Sequence, residues 1–328
     1  MKLLIILLLI SSPLFARSWQ KVSIPGAKCG NGRPYKVFLD IRDSKKLAVE
    51  FMGGGVCWSA RTCYGPGKKT WLNRLPAFPA FSLFSGNQSA FAKHSMIYFP
   101  YCTGDVHAGE HIAHYALNLQ VFHYGYRNIV KSLEYLAQKK FIDFSALQEA
   151  VLFGSSAGGI GAILHTPSFE KYLSPSAKKI LIADSAGLHF GKNFWHKFSI
   201  PMLNDFRQNF DKIDLTIDEN DGFIAPAIPQ ICDQLADWKI GFLQGSRDMV
   251  MSLGFGDISM RRHQELIYSE LGVYELTKNI ANCAAWVPDS PTHTFLLINY
   301  TAGMRAAGKS ALEFALDIYH GITTKNYR

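Results

Sequence analysis

Residues 150 to 164 constrain this chain more than any other stretch. Ala150-Val151-Leu152-Phe153 is an apolar run, Gly154-Ser155-Ser156-Ala157-Gly158 is a Gly-x-Ser-x-Gly turn, and Gly159-Ile160-Gly161-Ala162-Ile163-Leu164 continues as a helix of small residues. A serine held on a tight strand-to-helix turn needs glycine on both sides, and the helix that follows must pack closely on the sheet. Gly154 and Gly158 meet the first demand, and Ala157, Gly159 and Gly161 meet the second. The combination predicts a nucleophile elbow with Ser156 at the helix N-terminus.

The rest of the chain repeats the same alternation. Tyr35 to Ile41, Leu47 to Met52, Met96 to Pro100, Ile180 to Ala183, Ile240 to Leu243 and Ala284 to Val287 read as strands. Phe122, Tyr126, Ile129, Val130, Leu133, Leu136 and Ala137 recur at helical spacing, as does Met260 to Leu271. Strands buried on both faces and separated by helices predict an α/β fold, α/β-hydrolase-like, with a mostly parallel sheet flanked by helices. Phe190 to Pro229 breaks the rhythm and is expected to be an insertion over the active site. A single domain from 17 to 328 is the expected organisation. The apolar share of 48% against 18% charged residues excludes disorder, and a net charge of +8 without a run of basic residues gives no reason to expect nucleic acid as a partner.

A serine nucleophile needs a base and an acid to orient it, and in this fold they follow in the order serine, acid, histidine. Ile240 to Gln244 leads into Gly245-Ser246-Arg247-Asp248, which puts Asp248 on the acid loop; Asp257 and Asp237 flank it as alternatives. His293 lies in a loop after Ala284 to Val287, where the base belongs. Gly53-Gly54-Gly55 ends an earlier strand, and amides near Gly54 and Gly55, with that of Ala157 after the nucleophile, are the expected oxyanion donors. Asp105, His107, Glu110, His111 and His114 form a competing cluster in which His111 and His114 could share a helix face as metal ligands.

The N-terminus sets a compartment. Met1-Lys2, the apolar run Leu3 to Ile10 and a small residue at Ala16 read as a signal peptide over 1–16, too short to span a bilayer and leaving no stable membrane insertion once removed. A secreted or periplasmic location follows, and there the six cysteines are expected as three disulfides. Cys57 and Cys63 enclose five residues and are the easiest pair to argue; the others stay open. Asn87-Gln88-Ser89 and Asn299-Tyr300-Thr301 are glycosylation sequons.

Four blocks carry a family resemblance: Phe51-Met52-Gly53-Gly54-Gly55-Val56-Cys57-Trp58 with Thr62-Cys63, Phe99-Pro100-Tyr101-Cys102-Thr103-Gly104-Asp105-Val106-His107-Ala108-Gly109, Gly154-Ser155-Ser156-Ala157-Gly158-Gly159, and Ala183-Asp184-Ser185-Ala186-Gly187. In this order they resemble the pectin acetylesterase and Notum family of secreted carboxylesterases. The resemblance implies a triad of Ser156, Asp248 and His293, and pairs Cys29 with Cys102, Cys57 with Cys63 and Cys232 with Cys283. Where the family usually has Glu before the glycines and Trp after the first two, this chain has Met52 and Gly55, and His107 stands where Trp is frequent. Those departures bear on the acyl pocket and the substrate.

The expectation is therefore a serine carboxylesterase that needs no cofactor and no metal. O-acetyl groups of a polysaccharide are the expected substrate, and a mild basic excess is compatible with an acidic polymer. The rival readings are an esterase for longer acyl or polyester substrates, a catalytically silent binding protein on the same fold, and a metallohydrolase built on the histidine cluster.

Overall fold

The computed structural model describes residues 17–42, 45–65, 70–71, 90–116, 119–217, 222–322 and 325–328. The expected signal over 1–16 and the sequon at Asn87 lie outside the described residues.

The core is an eight-stranded sheet. Its strands are β1 (Gln20–Lys28), β2 (Pro34–Asp40), β3 (Lys46–Phe51), β4 (Ser95–Phe99), β7 (Glu149–Ser155), β8 (Lys178–Asp184), β9 (Trp238–Leu243) and β10 (Cys283–Trp286). They lie in the order β1-β2-β4-β3-β7-β8-β9-β10. From β4 to β10 every pairing is parallel; at one edge β2 pairs antiparallel with both β4 and β1, so β2 alone runs against the other strands of the sheet. β5 (His111–Ala116) and β6 (Leu119–His123) make a separate hairpin. Every residue of β7 is buried, as expected of a central strand covered on both faces.

Ten short helices complete the described chain: α1 (Ala60–Cys63), α2 (Gly125–Gln138), α3 (Ala157–Leu164), α4 (Thr166–Glu170), α5 (Ile200–Phe210), α6 (Ile228–Gln234), α7 (Met260–Ile267), α8 (Val273–Leu276), α9 (Asn299–Ala302) and α10 (Ala311–His320). Strand alternation sends Val49, Phe51, Leu152 and Leu181 to the face that packs on α2 and α3, through Ile129, Leu133, Ile160 and Ile163. Ala48, Val151, Phe153 and Ile182 go to the other face, against Phe314, Ala315 and Ile318 of α10. The fold is α/β-hydrolase-like, as the sequence predicts.

The expected strands form within a residue or two of their predicted limits, the expected helix from Met260 to Leu271 ends at Ile267, and two further local expectations fail. The helical pattern read from Phe122 begins at Gly125, and Phe122 itself pairs with Ile112 in the β5–β6 hairpin. His111 and His114 likewise lie on strand β5, where residues three apart point to opposite sides and share no helix face. Within 190–229, α5 and the loops around it gather an aromatic cluster: the rings of Phe190 and Phe194 stack at 3.8 Å, and Phe198 and Phe206 meet edge to face at 5.2 Å. Disulfides join Cys29 to Cys102, Cys57 to Cys63 and Cys232 to Cys283, the three pairs that the resemblance implies.

Candidate active site

Ser156 sits between β7 and α3 with φ 57° and ψ −127°, a left-handed conformation that a side chain rarely adopts. The turn is closed by close approach on both sides. A Cβ on Gly154 would stand 1.9 Å from the Gly158 carbonyl oxygen, and one on Gly158 would stand 2.0 Å from that of Phe51. Glycine at both positions is therefore a steric requirement. The Ser156 N–H donates to the Asp184 carbonyl at 2.8 Å, and Ala157, as the first residue of α3, has an N–H with no acceptor within the helix.

Asp248 and His293 meet at the C-terminal ends of β9 and β10. His293 Nδ1 lies 2.8 Å from Asp248 Oδ2. Asp248 is fully buried and holds that orientation through bonds from the Val250 and Met251 N–H groups at 2.9 and 3.0 Å and from Gln244 Nε2 at 3.0 Å. The two alternative acids lie elsewhere. Asp257 is exposed and paired with Lys197 at 2.6 Å, and Asp237 is exposed ahead of β9, at the opposite end of the strand. Ser156 and His293 line one cavity, with no hydrogen bond between their side chains. In free enzymes the nucleophile–base bond is often loose.

The triglycine turn is fixed by its carbonyls. His107 Nε2 donates to the Met52 carbonyl at 2.9 Å, and the Tyr101 hydroxyl donates to that of Gly55 at 2.7 Å. The N–H groups of Gly54 and Gly55 bond to no acceptor among the described residues. A Cβ on Gly53 would meet the Ser155 carbonyl oxygen at 2.2 Å, so the turn packs directly on the elbow. The Cys57–Cys63 bridge closes the loop that follows, and the Cys57 N–H donates to Gly104 O. Burial keeps His107 neutral, with its pKa lowered to about 4 despite the bond to Met52.

Two cavities meet at Gly55, Ser156 and Phe255. The first is a pocket of about 50 Å³ between apolar walls that include Ile160, Phe190, Phe194, Phe198 and Met251, three of the five coming from the segment that starts at 190. The second is wider, about 450 Å³, and is lined by the triglycine turn, His293, Thr294 and Leu297. Glu50 also lines this second cavity; it is buried, neither carboxylate oxygen has a hydrogen-bond partner, and burial raises its pKa well above the ordinary value.

The histidine cluster disperses. Asp105 accepts from Thr103 Oγ1, the His107 N–H and the Gly125 N–H; His111 Nδ1 bonds Asp205 of α5 at 2.6 Å; His114 is exposed. The one metal-like grouping among the described residues, Cys57, Cys63 and His123, has its two sulfurs joined to each other. Sequence reasoning gave no role to Asp184, Gln244 or Glu50. Asp184 did stand in one of the four blocks that carry the resemblance.

An α/β-hydrolase-like sheet with a strained serine between β7 and α3 and a buried aspartate–histidine pair beside it defines the class. The family model for pectinacetylesterase matches residues 18–213, and the chain belongs to that family. Palmitoleoyl-protein carboxylesterase NOTUM of Schmidtea mediterranea is 27% identical over 162 residues, which is 44% of this chain and 28% of that protein. The chain thus spans little more than a quarter of that relative's length. Both names are those of carboxylic ester hydrolases. The family match contains Gly53 to Gly55 and Ser156 and ends before Asp248 and His293. Among the described residues, no helix is long and apolar enough to cross a membrane.

Proposed function

We propose that the protein is a serine carboxylesterase acting through an acyl-enzyme. Ser156 attacks the ester carbonyl, His293 takes the serine proton and returns it to the leaving alcohol, and Asp248 orients His293 and stabilises its charged form. The N–H groups of Gly54, Gly55 and Ala157 hold the oxyanion, and water then cleaves the acyl-enzyme with His293 as base. The observation that carries this reading is the 2.8 Å Asp248–His293 bond opening onto the cavity that Ser156 lines.

The two cavities divide the ester. The apolar one suits the acyl group, because burying hydrocarbon against Phe194 and Phe198 is favourable and an acetyl group on Ser156 can touch only a few of the apolar side chains that line it. The wider one suits the alcohol. An acyl group longer than acetyl is therefore the favoured substrate. The second reading, an O-acetylated polysaccharide, is supported by the family description and by a wide cavity able to admit a sugar. Residues 190–229 act as a cap that supplies much of the acyl wall. Three disulfides fit the oxidising, secreted or periplasmic setting read from the N-terminus.

Hydrolysis of p-nitrophenyl esters of graded chain length tests both points. The rate is expected to rise from acetyl to medium-chain esters, to vanish in Ser156→Ala and to be insensitive to chelators. Full activity in Ser156→Ala would overturn the mechanism, and a maximum at acetyl would favour the second reading.

A further inference from the structure

Three loops that end parallel strands must hold their separations for Ser156 and His293 to work together, and one buried side chain bonds to two of them. Asp184, the last residue of β8, is fully buried. Its carbonyl accepts the Ser156 N–H at 2.8 Å, on the nucleophile side. Its Oδ2 accepts from Ser155 Oγ at 3.2 Å on that same side, and from the N–H groups of Phe295 and Leu296 at 2.8 and 2.9 Å on the histidine side. Its Oδ1 accepts from Phe295 N–H at 3.0 Å and Ser185 Oγ at 3.2 Å. Ser185 Oγ in turn accepts the Thr294 N–H at 3.0 Å. Of the nine non-glycine residues with positive φ among the described residues, three, Ser156, Ser185 and Thr294, with φ of 57°, 54° and 65°, lie on this network. Strained backbone of this kind persists only where the surroundings over-determine it.

We infer that Asp184 is a positioning residue that sets the separation of Ser156 and His293, by holding the elbow and the histidine loop on one carboxylate. The inference rests on the serine esterase reading above. Every hydrogen bond to the carboxylate is donated to it, which favours the anion; burial raises its pKa, while the Leu296 and Phe295 N–H groups and the charge of His293 oppose that rise. The charged groups that face His293 are Asp248 and Asp184. Glu50 lines the same cavity, where burial raises its pKa and favours the neutral form, and buried His263 lies beyond Asp248 with a lowered pKa.

The test compares Asp184→Asn, Ser185→Ala and Ser156→Ala with the wild type on one p-nitrophenyl ester across pH, with thermal melting as a control for folding. Asp184→Asn is expected to lower kcat about 100-fold with KM within twofold, since small misplacements of reacting groups cost that much. It is also expected to move the acid limb of the kcat profile to lower pH by about half a unit or more, because a negative charge that favours imidazolium is gone. A purely structural role would leave that limb in place. An unshifted limb, or kcat within threefold of wild type, overturns the inference. If Asp184→Asn does not fold, Ser185→Ala decides: a kcat lowered about tenfold at constant KM supports the inference, and unchanged kcat overturns it. Activity in Ser156→Ala would instead overturn the esterase reading, and so separates the two failures.

Discussion

His293 Nδ1 lies 2.8 Å from a carboxylate oxygen of Asp248 that is wholly removed from solvent, while Asp257, nine residues further on, is exposed and engaged by Lys197. The contrast favours Asp248 over Asp257 as the acid of the proposed mechanism. Asp248→Asn is expected to lower kcat by about 10³ to 10⁴ with little change in KM, by favouring the wrong imidazole tautomer. Asp257→Asn is expected to stay within twofold. Steady-state kinetics on a chromogenic ester check both, and equal losses would assign the acid wrongly.

Phe198 offers a handle on acyl length. It walls the apolar cavity and packs against Phe206 and Trp58. Phe198→Ala is expected to shift the chain-length optimum toward longer esters while costing about 3 kcal/mol of stability, the range for a buried aromatic truncated to alanine. An unchanged chain-length profile in a folded variant would remove the acyl group from this cavity.

Glu50 titrates against the fold. Its pKa in the folded protein is raised by burial, so the folded state keeps its proton longer than the unfolded chain does. Relative to Glu50→Gln, the wild type is therefore expected to lose stability as pH rises above about 4.5, and the variant to be the more stable at pH 8 but not at pH 4. Melting temperatures of both proteins at the two pH values give the answer; a difference independent of pH would show that the carboxyl stays ionised.

The buried histidines act in the other direction. Burial lowers the pKa of His107 to about 4 and of His123, His165 and His189 to about 3. Between these values and about 6.5 the unfolded chain binds more protons than the folded one, so each histidine removes about 1.4 kcal/mol of stability per pH unit as pH falls through that window. Denaturant titrations at pH 7, 6 and 5 should show midpoints that fall steeply, and a flat series would mean that these rings are charged in the folded state.

How far the sequence reaches depends on how local each constraint is. The elbow is legible because its requirement, glycine on either side of Ser156, is met within five consecutive residues whose backbones touch. The strands are legible because burial on both faces leaves unbroken apolar runs. Asp184 is not, because the N–H groups it accepts are 111 and 112 residues away. The His111–His114 spacing misleads because it fits a helix, whereas pairing with Phe122 and Gln120 makes that segment a strand. The aromatic cavity is invisible for a related reason: its walls come from Val106, Ile160, Phe194 and Met251, which no periodicity connects.

The two cavities that share Ser156 draw their other walls largely from different stretches of chain. Phe190 to Phe210 contribute only to the apolar one, and Thr294 and Leu297 only to the wider one. Substitutions in one wall therefore have few common neighbours with those in the other, and their energetic effects should sum. On the proposed division of the ester between them, the protein is separable, with preference for one half of a substrate open to change by drift or by design without renegotiating the other.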